Sequence, residues 1–223
     1  MNLVRIGLIW PDSSHAERFS ELCNLPPETN SGNHVDNARV VAVWGEDRER
    51  NLTLAENFGI ELIADRKEDL VQHIDLAIVM SRNGAFHLDL ARPFLEAGIP
   101  TFVDKPIANT VEDARAISHL ARKHGTPVTS FSTYRTSASM AHLRQQQVTS
   151  LGGFTFGTFT GPGHLENEYG GLIFYGIHAA ELALFFMGSG AKHVRCDSHG
   201  GNTSAVVTWP DERSAVINVL GNA

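Results

Sequence analysis

Asp104-Lys105-Pro106 ends a short apolar run, Thr101-Phe102-Val103, with Gly98 and Pro100 just upstream. The run predicts a strand buried on both faces, and the charged residues fall at its carboxyl end. In open α/β sheets that end carries the chemistry. A lysine there loses water while facing the acid before it; burial lowers its pKa and the acid raises it. Such a lysine can hold a substrate oxygen or move a proton. The same three residues can equally make a salt bridge and a proline-set turn. A second chemical residue is His178, in the middle of the apolar stretch Gly171–Leu182. Tyr175 lies three residues before it and Glu181 three after, so the three share roughly one helix face. An imidazole beside a carboxylate is an acid or base, or else a satisfied core histidine. His164, Glu166, Glu168 and His178 match no zinc spacing, and no metal site is expected.

These side chains need elements to hold them. Leu3–Ile9 predicts a first strand, followed by the polar turn Trp10-Pro11-Asp12-Ser13-Ser14-His15 and a helix from Ala16 to Cys23. Strand, turn and helix in this order open a dinucleotide-binding unit. The glycine fingerprint is missing: Trp10, Asp12 and His15 stand where its glycines would let the backbone approach a pyrophosphate. Ser13 and Ser14 are left to cap the helix or bind phosphate, and Asp12 either caps the helix or repels phosphate. Pro26–Asn37 is rich in turn formers and predicts a surface loop. Val40–Trp44 is a second strand; Glu46 just beyond it is placed to bind an adenosine ribose or simply to be solvated. A helix over Arg48–Phe58, strands at Leu62–Ala64 and Leu76–Met80, the turn Ser81-Arg82-Asn83-Gly84 and a helix over Phe86–Ala97 lead to the central strand. A helix over Val111–His124 and a strand over Pro127–Phe131 complete a regular β-α alternation, which predicts a parallel doubly wound sheet.

Beyond Phe131 the alternation stops. A helix over Tyr134–Val148, a strand over Phe154–Thr160, a long helix over Gly171–Met187 buried on most faces, and three short strands predict a smaller α+β domain with antiparallel strands. Pro210-Asp211-Glu212-Arg213 reads as the hairpin turn between the last two. The fold class is therefore α/β, with a Rossmann-like domain over 1–132 and a substrate or oligomerisation domain over 133–223.

The chain has 223 residues, 42% hydrophobic and 19% charged, with a net charge of −7. No basic stripe is present, which argues against nucleic acid or an anionic membrane as partner. Cys23 and Cys196 are far apart without a CxxC pattern and are expected to stay reduced in a cytoplasmic setting. The first residues carry no long apolar segment, so no signal peptide is expected.

The runs Ile78–His87 and Ala97–Pro106, together with Gly176-Ile177-His178, resemble the Gfo/Idh/MocA oxidoreductases, the family of glucose–fructose oxidoreductase and inositol dehydrogenase. The turn Asp12-Ser13-Ser14-His15 is similar to a branch of that family whose first turn reads Asp-(Ser/Thr)-Ser-His. The resemblance implies NAD or NADP as cofactor and hydride transfer with a sugar- or polyol-like substrate. It implies that Lys105 holds the reacting oxygen and that His178 moves the hydroxyl proton, the two meeting across a cleft between the domains. Trp10, Asp12, Ser13, Ser14, His15, Glu46, Ser81, Asn83, Asp104 and Lys105 would then line the cofactor, and Arg135, Tyr175 and Glu181 the substrate. It also implies pairing of chains through the second-domain sheet. Where this family often has an acid four residues before the histidine, this chain has Phe174, so Tyr175 or Glu181 is expected to orient His178. Cofactor binding weakened rather than abolished is expected from the missing glycines. A relative that binds a nucleotide or sugar without turnover is the alternative.

Overall fold

The computed structural model describes residues 3–29 and 33–221. The chain divides into two units, residues 1–130 and 131–223.

The first unit is a six-stranded parallel sheet. Its strands are β1 (Val4–Ile9), β2 (Ala38–Trp44), β3 (Leu62–Ile63), β4 (Leu76–Val79), β5 (Thr101–Val103) and β6 (Val128–Thr129). Their spatial order is β3-β2-β1-β4-β5-β6, so the direction of winding reverses between β1 and β4. Its helices are α1 (His15–Asn24), α2 (Arg48–Phe58), α3 (His87–Glu96) and α4 (Val111–His124). The strands are apolar almost throughout because both faces are covered. Ile6 and Leu8 of β1 and Ile78 of β4 pack with Ala16, Cys23 and Leu54 of α1 and α2. The intervening Ile9, Ala77 and Val79 pack with Leu90, Phe94, Ile117 and Leu120 of α3 and α4. Asp47 caps α2, accepting from the Arg50 N–H, and Gly59 ends that helix in the left-handed region. Thr110 caps α4 in the same way through the Asp113 N–H. Of the expected loop Pro26–Asn37, residues 27–29 form a 3-10 turn and residues 30–32 lie outside the described residues.

The second unit opens with a break in the expected helix. Residues 133–149 form α5 (Thr133–Thr136) and α6 (Ala138–Thr149), because extended Ser137 ends one and caps the other through the Met140 N–H. β7 (Phe156–Pro162), α7 (Leu172–Met187), β8 (His193–His199), β9 (Asn202–Thr208) and β10 (Ser214–Leu220) follow, with sheet order β7-β10-β9-β8. β10 pairs antiparallel with β9 but parallel with β7, so the sheet is mixed rather than antiparallel throughout. Alternation along a strand marks which face is buried and carries no sign for strand direction. A second correction concerns α7. Only one of its faces is covered: Phe174, Ala179, Ala183, Phe186 and Met187 are buried, whereas Ile173, Tyr175 and Leu184 are exposed. The helix lies close on the sheet because glycines make room. A Cβ at Gly163 would fall 2.0 Å from Val219 Cγ1, and one at Gly176 would lie 3.3 Å from Val219 Cγ2.

Candidate functional site

At the carboxyl ends of β1, β4 and β5, the turn after β1 is tied to its neighbours on three sides by side chains. Trp10 has a positive φ of 59°, the backbone region that glycine enters freely and tryptophan does not. Its indole packs against Trp44 and Phe86, with ring centroids 5.9 and 5.5 Å away. From α2, Arg50 Nε donates to the Pro11 carbonyl at 2.9 Å and Nη2 to the Ser13 carbonyl at 3.1 Å. The same guanidinium pairs with Glu17 and holds its carboxyl below the usual range. From the β4 side, the Arg82 N–H donates to Asp12 Oδ1 at 2.9 Å. Asp12 therefore does not cap α1; Ser14 stands at the cap position without a side-chain hydrogen bond, and Ser13 Oγ accepts from the His15 N–H. From the β5 side, Asp104 Oδ2 lies 2.6 Å from His15 Nδ1.

Asp104 is buried and uses both carboxylate oxygens, since Oδ1 accepts from the Lys105 N–H at 2.8 Å. It thus links the β1 turn to the lysine turn. Lys105 is itself buried, and burial draws its pKa below the ordinary value while the charge of Asp104 pulls it up. The expected opposition of desolvation and acid is present, with desolvation the larger. The Lys105–Pro106 peptide is cis.

The β4 turn is held from within. Ser81 is fully buried; its hydroxyl accepts from the Asn83 N–H at 3.2 Å. Asn83 Oδ1 accepts from the Ala85 N–H and from Asn109 Nδ2. His87, also fully buried, lies between two carbonyls: Nε2 is 2.7 Å from Ser81 O and Nδ1 is 2.9 Å from Pro106 O. Burial pushes its pKa down against the pull of those carbonyls and of Asp104. Two cavities open beside the β1 turn. One, of about 290 Å³, is bordered by Pro11, Asp12, Glu46, Arg50 and Arg82; the other, of about 420 Å³, by Trp44, Arg66, Lys67 and Phe86. Trp10 and the exposed Glu46 border both.

In the second unit, His178 is buried on α7, with Nδ1 2.6 Å from Ser132 Oγ. Glu181 Oε2 accepts the Ser132 N–H at 2.6 Å, and Glu181 Oε1 accepts from Arg135 Nη1 at 3.1 Å. Glu181 therefore meets the imidazole one step removed, through Ser132. Tyr175 is exposed, its ring centroid 6.0 Å from that of His178, and Tyr134 stands edge-on to the imidazole at 5.0 Å. Phe174 packs against Tyr169 and Tyr175. Ser132, Arg50, Arg82 and His87 escaped the sequence reading. For Ser132 the one available signal was a serine opening a helix, a cap signature. Among the described residues no group of three or more His, Cys, Asp or Glu side chains is placed to hold a metal.

Residues 12–132, more than half of the chain, match the model of the Gfo/Idh/MocA oxidoreductase family with NAD-binding Rossmann fold. The chain belongs to that family. The scyllo-inositol dehydrogenase of Lactobacillus casei shares its fold, with a TM-score of 0.83 and 18% identity over 100% of this chain and 69% of that one. For the myo-inositol 2-dehydrogenase of Lactobacillus plantarum the values are 0.81 and 14%, over 98% and 70%. For an oxidoreductase from Agrobacterium radiobacter, solved in complex with NAD⁺, L-tartaric acid and magnesium, they are 0.82 and 16%, over 99% and 67%. No curated protein matches the chain. The structure fits the cofactor this family implies in three respects. The winding reverses between β1 and β4, Trp10 keeps the backbone conformation of a glycine, and Arg50 and Arg82 supply cations beside the cavity. The indole of Trp10 and the carboxylate of Asp12 narrow the same place. Among the described residues no helix is long and apolar enough to cross a membrane.

Proposed function

We propose that the chain is an NAD(P)-dependent dehydrogenase or reductase of a sugar- or polyol-like substrate. Its first unit would bind the dinucleotide and its second the substrate. The observation that carries this reading is Lys105, buried at the carboxyl end of β5 and joined through Asp104 to the turn after β1. Bound nicotinamide supplies a hydride acceptor or donor; the chain supplies binding, orientation and proton handling. Trp10, Asp12, Ser13, Ser14, His15 and Glu46 surround the phosphate and ribose, and Ser81, Asn83 and Asp104 the nicotinamide side. Lys105 holds the substrate oxygen; its ammonium favours the negative charge that grows there. His178 takes the hydroxyl proton during oxidation and returns it during reduction. Ser132 fixes the imidazole through Nδ1 and so sets the plane in which the ring meets the substrate. Arg135, through Glu181, and Tyr175 shape the substrate side. The inositol dehydrogenases among the solved neighbours support a polyol substrate.

The test is a thermal-shift screen with NAD⁺, NADP⁺ and their reduced forms, followed by turnover on a panel of inositols and sugars. Cofactor at 100-fold its Kd should add about 2.7 kcal/mol of stability. Stabilisation by no dinucleotide at millimolar concentration would refute the reading. A second reading, a relative that binds a nucleotide or sugar and regulates a partner, draws support from the Asp12 carboxylate beside the cavity. Cofactor binding with no turnover across the panel would favour it.

A further inference from the structure

The winding of the first sheet reverses between β1 and β4, and in open α/β sheets ligands bind in the crevice at such a point. The turns on its two sides are Trp10–Ser14 and Ser81–Gly84. The Asp12 carboxylate bridges them, accepting the Arg82 N–H at 2.9 Å. Arg82 Nε stands 3.9 Å from the same oxygen, outside hydrogen-bond range. A turn N–H and a guanidinium converging on one anionic oxygen are the donors that bind phosphate. Here the oxygen belongs to the chain. Arg82 also borders the cavity that Pro11, Glu46 and Arg50 border, so its side chain can serve a ligand there.

Resting on the dinucleotide reading above, we propose that Arg82 is the pyrophosphate-binding residue of this chain and that Asp12 is a resident anion which the pyrophosphate must displace. Fixed within reach of Arg82, Asp12 competes as an intramolecular ligand, and an intramolecular ligand acts at a high effective concentration. A pyrophosphate carries more charge than one carboxylate, so exchange is favourable once cofactor is abundant. Burial already disfavours the charged form of Asp12, which makes it a displaceable counter-ion. On this account the chain compensates for its missing glycines with a cation on the opposite turn. The same account explains why binding should be weak, since part of the binding energy goes into moving Asp12.

The experiment is calorimetric titration of NADH, NADPH and inorganic pyrophosphate into the full chain and its variants. Asp12→Asn removes the charge and keeps an oxygen that can accept the Arg82 N–H, so the turn should hold. It should tighten NADH about 10-fold, an amount equivalent to about 1.4 kcal/mol. Arg82→Met should weaken NADH and pyrophosphate by about 10-fold or more, and Arg82→Lys by less, because an ammonium is a point charge without the planar fork. In the double variant Asp12→Asn/Arg82→Met the gain from Asp12→Asn should vanish. Asp75→Asn removes the same charge at the opposite end of β4 and should leave affinity unchanged. Circular dichroism of each variant separates loss of a ligand contact from loss of fold. Wild-type binding with Asp12→Asn unchanged, or an equal gain from Asp75→Asn, overturns the exchange and leaves the dinucleotide reading standing. Binding by Asp12→Asn alone supports it. Binding of neither dinucleotide by any variant overturns both.

Discussion

His178 and Lys105 make different demands on their surroundings. The imidazole needs one nitrogen held so that the other is presented, and Ser132 holds it at 2.6 Å. The lysine loses water at its buried position, which lowers its pKa, and the charge of the buried Asp104 beside it opposes that loss. If the pair carries the reaction, Lys105→Ala and His178→Ala should each lower turnover on a polyol that the wild type accepts by roughly 10²-fold or more, the scale of general acid–base catalysis. Ser132→Ala should lower kcat by less and move the pH profile, since it frees the ring rather than removing it. An unchanged profile in Ser132→Ala would remove the serine from the mechanism. His87 makes a separate prediction. Burial lowers its pKa from the ordinary 6.5, so the unfolded chain takes up a proton before the folded one does. Its share of stability is present above pH 6.5 and is lost as pH falls below that value toward the depressed folded pKa. Urea unfolding at pH 7.5 and 5.5 should show the loss, and His87→Gln should show a shallower slope. Equal slopes in the two proteins would place the acid sensitivity elsewhere.

Among the elements, the β1 turn and the β4 turn do most of the positioning, and each tolerates change poorly for its own reason. A Cβ at Gly84 would lie 2.6 Å from Asn109 Oδ1 and 3.1 Å from the backbone of Ala108 and Asn109. Backbone cannot swing aside as a long side chain can, so Gly84→Ala should cost about 1–3 kcal/mol in a denaturant titration. A cost near zero would mean that the Ser81–Gly84 turn is looser than its hydrogen bonds imply. These turns also show where reading the sequence stopped. The strands and helices of the first unit were legible because each is continuously apolar or periodic, with Gly59 and Gly125 in left-handed caps at the two helix ends. The side-chain ties were not legible. His15 and Asp104 are 89 residues apart, Asp12 and Arg82 are 70 apart, and Ser132 and His178 are 46 apart. No periodicity links such positions; only the folded turns bring them together. The parallel pairing of β7 with β10 was hidden for the same reason, and the exposed side of α7 because apolar composition does not say which face finds a neighbour.

For the molecule as a whole, the two units have unequal cores. The first buries two clusters, one on each face of its sheet. Among the described residues the second has one small cluster of Met187, Val207, Trp209 and Ala215, with Phe154, Phe159 and Ile217 packed beside it. Stability follows apolar area removed from water, so the second unit should open first. Hydrogen exchange should find lower protection in β7–β10 than in β1, β4 and β5. Equal protection throughout would mean that the chain unfolds as one cooperative body. The inequality also separates the two halves of the proposed function. Every residue assigned here to the dinucleotide, from Trp10 to Lys105, lies in residues 1–130, which own both larger cores. A fragment of residues 1–130 should therefore fold cooperatively and bind NADH within about 3-fold of the full chain, a difference of about 0.6 kcal/mol, while turning over no substrate because His178 is gone. A fragment that folds but has lost NADH affinity would assign part of the cofactor site to the second unit and would overturn the division of labour proposed above.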